Sequence, residues 1–178
     1  MYGVTNKEVV PAHGYGSCAA VVRDFGKDEF ATDEEALAWI RWVKIKNEEG
    51  RLIVNFYIWL ANTDQCIGRV YIHSKPELDG EVEIGYGISE EYRNKGYVTE
   101  AAQAVIRYAF EEARQDMLAA IVKPENTASQ CVINKLGFSK HGVRMVPDEN
   151  DVLCKFDYFR LYRDEYRLFS VCGVTVNP

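Results

Sequence analysis

The sequence has few residues of the kinds that bind metal ions or build disulfide frameworks. Its 178 residues include five cysteines without a CxxC pair and three histidines that are dispersed along the chain. An odd number of scattered cysteines argues against a disulfide framework, and neither residue type shows the spacing of a zinc site. We therefore expect no metal ion and reduced thiols, which are typical of a cytoplasmic protein.

Long apolar segments and a positive net charge are also missing. No apolar run reaches the length that crosses a bilayer, and residues 1–10 lack the basic start and apolar block of a secretory signal. The formal net charge of −6 argues against a general nucleic-acid binder and is compatible with a cationic partner. The composition predicts a cytoplasmic globular protein without a membrane or nucleic-acid partner. We expect a monomer or a homodimer, and the sequence does not distinguish the two.

A regular succession of helix and strand patterns is present after residue 30, whereas residues 1–30 show no clear pattern. Thr32 and Glu35 form a helix capping box, and apolar residues at helical spacing continue to about Lys46. Runs rich in β-branched and aromatic residues, separated by turn residues, then predict an antiparallel three-stranded meander. Its strands are expected at 52–60, 66–73 and 81–88.

The second half of the chain continues with two helices, an apolar strand and a hairpin. These elements are expected after Gly96, at 117–122, at 127–136 with a stop at Gly137, and at 138–145 with 152–162. Because a helix separates the apolar strand from the strand at 81–88, the two should be parallel neighbours in a right-handed crossover. The fold class is therefore α/β or α+β, with a mixed, mostly antiparallel sheet flanked by helices.

Two blocks of sequence together carry a resemblance to a known family. The first is Arg93-Asn94-Lys95-Gly96-Tyr97-Val98, and the second is Pro124-Glu125-Asn126-Thr127-Ala128-Ser129 followed by Lys135-Leu136-Gly137-Phe138. They resemble the acetyl-CoA loop and the next helix of the GCN5-related N-acetyltransferase (GNAT) family, in the branch with ribosomal-protein N-terminal acetyltransferases. The resemblance covers roughly residues 32–163. It implies one acetyltransferase domain over 1–178, with 165–178 as an extension, and a parallel β-α-β crossover at an acetyl-CoA site.

The physical basis of such a cofactor loop is the start of a helix. The first amides of a helix lack internal partners and lie at the positive end of its macrodipole, so a pyrophosphate can accept several N–H groups there. Gly96 would allow close backbone approach, whereas Val98 stands where the family has Gly or Ala and should narrow that space. A flexible turn with solvated charges is the alternative. The candidate cofactor-binding residues are Ile88, Arg93, Asn94, Lys95, Gly96, Tyr97, Val98, Thr99 and Asn126.

Two residues are candidates for the chemistry that the resemblance implies, in which a primary amine attacks the thioester directly. Glu83 lies where the family often has a strand glutamate and is the candidate general base. Ile133 stands where many members have a proton-donating tyrosine, so Ser129 is the implied proton source for the leaving thiolate. The structural alternatives are an ion-paired strand glutamate for Glu83 and a helix-end role for Ser129. Asn126 is also a predicted N-cap.

The sequence thus predicts an acetyl-CoA-dependent N-acetyltransferase that acts on a primary amine. The acceptor could be a protein N-terminus, a polyamine, an amino acid or an aminoglycoside-like compound. Two alternatives belong to other classes: a non-catalytic acyl-CoA-binding sensor of the same fold, and an interaction protein that has lost the cofactor. Turnover on an amine panel separates the enzyme from the sensor, and cofactor binding separates both from the interaction protein.

Overall fold

The computed structural model describes residues 33–63, 65–147 and 151–166. Helices and strands follow the predicted order, and most bounds agree within two residues. The predicted cap Thr32, the segment 1–30 and residues 167–178 of the extension lie outside the described residues. The elements are α1 (Asp33–Glu48), β1 (Ile53–Trp59), β2 (Cys66–Ser74), β3 (Val82–Ile88), α2 (Tyr97–Glu111), β4 (Met117–Val122), α3 (Thr127–Lys135), β5 (Ser139–Pro147) and β6 (Leu153–Tyr162).

The six strands form one mixed sheet in the order β1-β2-β3-β4-β6-β5. β1 pairs antiparallel with β2, and β6 pairs antiparallel with both β4 and β5. β3 and β4 are parallel, with Glu83 opposite Ala119, and α2 connects them. The predicted fold class is therefore confirmed, including the parallel β-α-β connection.

The described residues fall into two compact units. The first contains residues 33–73 and 85–105, and the second contains 74–84 and 106–166. In the first unit, Val70 and Ile72 of β2 are buried whereas Arg69, Tyr71 and His73 are half-buried. This alternation follows from the two-residue period of a strand, and it gives β2 one apolar face and one polar, aromatic face.

The second unit is built around β4, which lies between β3 and β6. Leu118, Ala119 and Ala120 are at most 1% exposed, as expected for an apolar strand in the middle of a sheet. Ala119 packs in a cluster with Leu78, Val146 and Tyr158. The small side chain of Ala119 leaves space on this face of the sheet that longer side chains from β3 and β6 can use.

The expectation of five reduced thiols is wrong at one position. Cys131 and Cys154 are free, but Cys66, buried at the start of β2, is disulfide-bonded. Scattered cysteines without a spacing motif do not reveal which of them pair, so the sequence did not predict this disulfide. In the part of the chain that the structure describes, none of the helices has the length and apolar character needed to cross a bilayer.

Candidate active site

The first unit carries the predicted phosphate-binding turn between β3 and α2. The backbone has positive φ angles at Asn94 (60°) and Gly96 (87°), a region that glycine adopts without strain. The Glu100 N–H donates to the carbonyl oxygen of Gly96 at 3.0 Å, which begins the hydrogen-bond ladder of α2. The amides of Tyr97, Val98 and Thr99 precede this bond, so they are the helix-start donors that carry the positive end of the macrodipole.

The exposure of the side chains in the turn bears on the prediction that Val98 narrows the space for the phosphates. Arg93, Asn94, Lys95 and Gly96 are exposed, but Val98 is only 8% exposed. The methyl groups of Val98 thus belong to the packed interior and not to the exposed surface of the turn. The predicted narrowing beside the phosphates is not supported by this placement.

The basic side chains of the turn are held only loosely. The Arg93 guanidinium lies 3.9 Å from the carboxylate of Glu90, and both side chains are mostly exposed. The Lys95 ammonium lies 5.3 Å from the ring centre of Tyr92. Contacts of this kind contribute little to stability, so both cations can reorient toward an anion at low cost.

Glycines fix the course of β3 before it reaches the turn. A β-carbon on Gly85 would come within 2.1 Å of the Tyr71 ring, and one on Gly68 within 2.4 Å of the Gly87 carbonyl oxygen. The Ser89 N–H donates to the carbonyl oxygen of Ile67 at 2.9 Å, which ties the end of β3 to β2. These close contacts define where Ile88, a predicted cofactor contact, is placed. Single glycines within strands have no distinctive pattern, so these two positions could not be recognised from the sequence.

Glu83 lies in the second unit and is buried, with 6% of the residue exposed. Its carboxylate Oε2 lies 3.5 Å from Nζ of Lys75, so it is ion-paired but not half-exposed as the structural alternative supposed. Burial raises the pKa of Glu83, and the attraction of Lys75 partly opposes this rise. A carboxylate with a raised pKa is better suited to accept a proton near neutral pH.

A second carboxylate, that of Glu81 immediately before β3, belongs to a cluster of side chains that the sequence did not reveal. Glu81 accepts hydrogen bonds from the Tyr158 hydroxyl and the Arg160 guanidinium, both on β6. The pKa of Tyr158 is raised, mainly by burial and also by the hydrogen bond to Glu81. The small Ala119 on the intervening strand allows these side chains to meet. Their sequence separation of almost eighty residues left no pattern from which to predict the cluster.

The start of α3 has the predicted cap. Asn126 Oδ1 accepts a hydrogen bond from the backbone N–H of Ser129 at 3.0 Å, which confirms Asn126 as the N-cap. Ser129 is half-buried, and its backbone N–H forms the capping hydrogen bond at the helix end. Ile133, at the position of the family's tyrosine, is 1% exposed and part of the core.

The predicted residues therefore form two groups. Ile88 and residues 93–99 make one continuous segment of the first unit, whereas Glu83, Asn126 and Ser129 belong to the second unit. Their roles in cofactor binding and catalysis stay predictions.

Comparison with known proteins identifies the class to which this fold and these motifs belong. The sequence model described as "Acetyltransferase (GNAT) domain" matches residues 7–139. The chain therefore belongs to the GNAT acetyltransferase family. It is an N-acetyltransferase, and acetyl-CoA is its co-substrate.

Individual relatives agree with this family. YnaD of Bacillus subtilis, an uncharacterized N-acetyltransferase, is 31% identical over 137 residues, which are 76% of each chain. The ribosomal-protein-S5-alanine acetyltransferase from Vibrio fischeri has a similar fold, with a TM-score of 0.70 at 19% identity over 89% of this chain and 93% of that one. The microcin C7 self-immunity acetyltransferase MccE, solved with acetyl-CoA and AMP, has a TM-score of 0.58 at 17% identity, covering 74% of this chain and 72% of its own.

Proposed function

We propose that the protein transfers the acetyl group of acetyl-CoA to a primary amine by direct attack of the amine on the thioester. The observation that carries this proposal is the buried carboxylate of Glu83, whose pKa is raised by burial. In the proposed reaction the amine nitrogen forms a bond to the acetyl carbon, the bond from that carbon to sulfur breaks, and Glu83 receives the proton that the amine loses.

The need for a base depends on the acceptor. An α-amino group with a pKa near ~8 costs about 1 kcal/mol to deprotonate at pH 7, whereas a lysine-like amine near ~10.4 costs about 5 kcal/mol. A carboxylate that accepts protons near neutral pH is of most value for the second kind of amine. A polyamine or aminoglycoside-like compound would therefore depend on Glu83 more strongly than a protein N-terminus or an amino acid.

The proposed cofactor site uses the segment that ends β3 and begins α2. The amides of residues 94–99 would bind the pyrophosphate, with Arg93 and Lys95 supplying positive charge. Ile88 and Asn126 would contact the cofactor arm. Ser129 would protonate the leaving thiolate, since Ile133 has no proton to give.

A panel of amines tests the proposal. Release of free coenzyme A thiol is measured with acetyl-CoA and each of four amine classes: peptides with a free N-terminus, polyamines, amino acids and aminoglycosides. Turnover on at least one class is expected, with the acetyl group found on nitrogen by mass spectrometry. If acetyl-CoA binds tightly but no amine is acetylated, the protein is a sensor and the proposed reaction is wrong.

A further inference from the structure

The turn between β2 and β3 fixes the backbone of Lys75 in three places. The carbonyl oxygen of Lys75 accepts hydrogen bonds from the N–H groups of Leu78 and Gly80, both at 3.0 Å. The N–H of Lys75 donates to the carbonyl oxygen of Glu81 at 2.9 Å. The side chain of Lys75 therefore starts from a fixed point, and substituting it leaves these three bonds in place.

From this fixed point the side chain of Lys75 extends to Glu83. Its Nζ lies 3.5 Å from Oε2 of Glu83, and the two side chains are 37% and 7% exposed. Lys75 thus remains partly solvated, whereas Glu83 is buried. The ammonium can stay next to the carboxylate without losing all of its own hydration. Such an asymmetric pair costs less to form than one in which both charges are buried.

Among the described residues of the second unit, Lys75 and Glu77 are the charges that act on Glu83. Glu77, two residues after Lys75 in the same turn, acts against Lys75 by raising the pKa of Glu83. Immediately before β3, the charge of Glu81 is paired with Arg160 of β6. β4 (Met117–Val122) has no titratable side chain. In the first unit, the polar side chains of β2 contact one another, with Arg69 against Tyr71 and Tyr71 against His73.

We propose that Lys75 is a positioning residue that orients the Glu83 carboxylate and keeps it ionised, so that it is ready to accept the proton of the acceptor amine. Glu77 opposes Lys75, and these two charges adjust, around the larger effect of burial, the pH at which the enzyme becomes active. This inference rests on the proposed role of Glu83. Lys75 itself neither loses nor gains a proton in the reaction.

Two variants with opposite expected effects test the proposal, each against wild type on the same amine. Lys75→Met removes the favourable charge and should lower kcat/KM about fivefold at pH 6, the scale of a partly exposed ion pair. Its loss should decrease as pH rises, because Glu83 then ionises without help. Glu77→Gln should instead raise kcat/KM at pH 6. The ratio of variant to wild type cancels the ionisation of the amine, which is common to both.

Two further variants serve as controls. Lys75→Arg keeps the charge and should restore most of the activity at pH 6. Lys140→Met removes a lysine from a different buried carboxylate, since Lys140 Nζ lies 2.7 Å from Asp157, whose side chain is 10% exposed. Lys140→Met should leave the pH profile of kcat/KM unchanged.

A measurement that does not depend on activity separates this inference from the proposed function. The titration of the Glu83 carboxyl carbon is followed by NMR in protein with labelled glutamate, and the signal is assigned by its loss in Glu83→Gln. Lys75→Met should move this titration to higher pH, and Glu77→Gln should move it to lower pH. An unchanged titration in Lys75→Met overturns the role of Lys75. If the titration moves but Glu83→Gln keeps full activity, the proposed base is wrong and Lys75 has no catalytic role.

Discussion

The turn at residues 93–96 and the surroundings of Glu83 both concern charge, but they are built in different ways. The turn is exposed, its special feature is the backbone conformation at Asn94 and Gly96, and its cations are loosely held. Glu83 is buried, and its proposed role depends on its own carboxylate and on the ion pair with Lys75. A backbone site tolerates most side-chain changes, whereas a single buried carboxylate has no substitute.

The largest effect should follow from removing the buried carboxylate. Glu83→Gln keeps the size of the side chain but cannot accept a proton, so kcat should fall by about 10²-fold or more, as expected for loss of a general base. The loss should decrease as pH approaches the pKa of the amine, because free amine then needs no base. Thiol release measured from pH 6 to pH 10 checks this.

Acetyl-CoA binding in the same variant supplies the control. The Kd for acetyl-CoA should stay near the wild-type value, because the proposed pyrophosphate site uses amides of the other group of residues. Near-full activity of Glu83→Gln across the pH range would mean that positioning of the substrates dominates catalysis and that water takes the proton.

The next effect should come from the backbone site. Gly96→Asp places a negative charge and a side chain where a pyrophosphate should bind, so most of the rise in Tm that acetyl-CoA causes should be lost. Gly96→Asn adds a similar side chain without charge, and asparagine tolerates positive φ angles, so its loss should be smaller. Thermal shift with increasing acetyl-CoA is the measurement.

Gly50 offers a matched control for strain at Gly96. Both glycines have a φ of 87°, and a β-carbon on either would meet nothing within 4 Å. Gly50→Asp should lower the Tm of the free protein by a similar amount and leave the acetyl-CoA shift intact. An unchanged shift in folded Gly96→Asp would place the phosphates elsewhere.

The comparison also shows what could be predicted from sequence. The turn was recognisable because its residues are contiguous and a helix start has a known pattern, and β4 was recognisable because its six residues are all apolar. Lys75 and the cluster of Glu81, Tyr158 and Arg160 were not, because strand pairing and side-chain reach bring them together. The burial of Val98 was missed for a related reason, since a family motif gives the residue type but not the direction of the side chain.

Ser129→Ala should have a smaller effect than the loss of Glu83. The cap of α3 uses the Ser129 backbone N–H, so the substitution leaves the bond to Asn126 in place and the helix should form normally. Loss of the hydroxyl should reduce kcat by about tenfold, the scale of one hydrogen bond. Unlike the loss in Glu83→Gln, this loss should persist at high pH, because it affects the thiolate and not the amine. A loss that high pH rescues would contradict the assigned role.

The smallest effect concerns stability, and its sign separates a buried base from a structural ion pair. Burial is the main cause that raises the pKa of Glu83 above its usual value of 4.5. Below pH 4.5 the side chain is protonated in both folded and unfolded states, so wild type and Glu83→Gln should have similar Tm values. As pH rises toward the folded pKa, the unfolded state loses its proton first, and wild type is progressively destabilised relative to Glu83→Gln. The difference in Tm should therefore grow above pH 4.5 and level off once Glu83 is ionised in the folded protein.

For a protein of this size, about 1 kcal/mol corresponds to a change in Tm of about 2–4 °C. Glu125→Gln, at an exposed glutamate that does not act on the pKa of Glu83, should lack this trend in favour of the glutamine. If Glu83→Gln melts below wild type at every pH, the attraction of Lys75 outweighs burial, and Glu83 is held ionised as part of a structural ion pair.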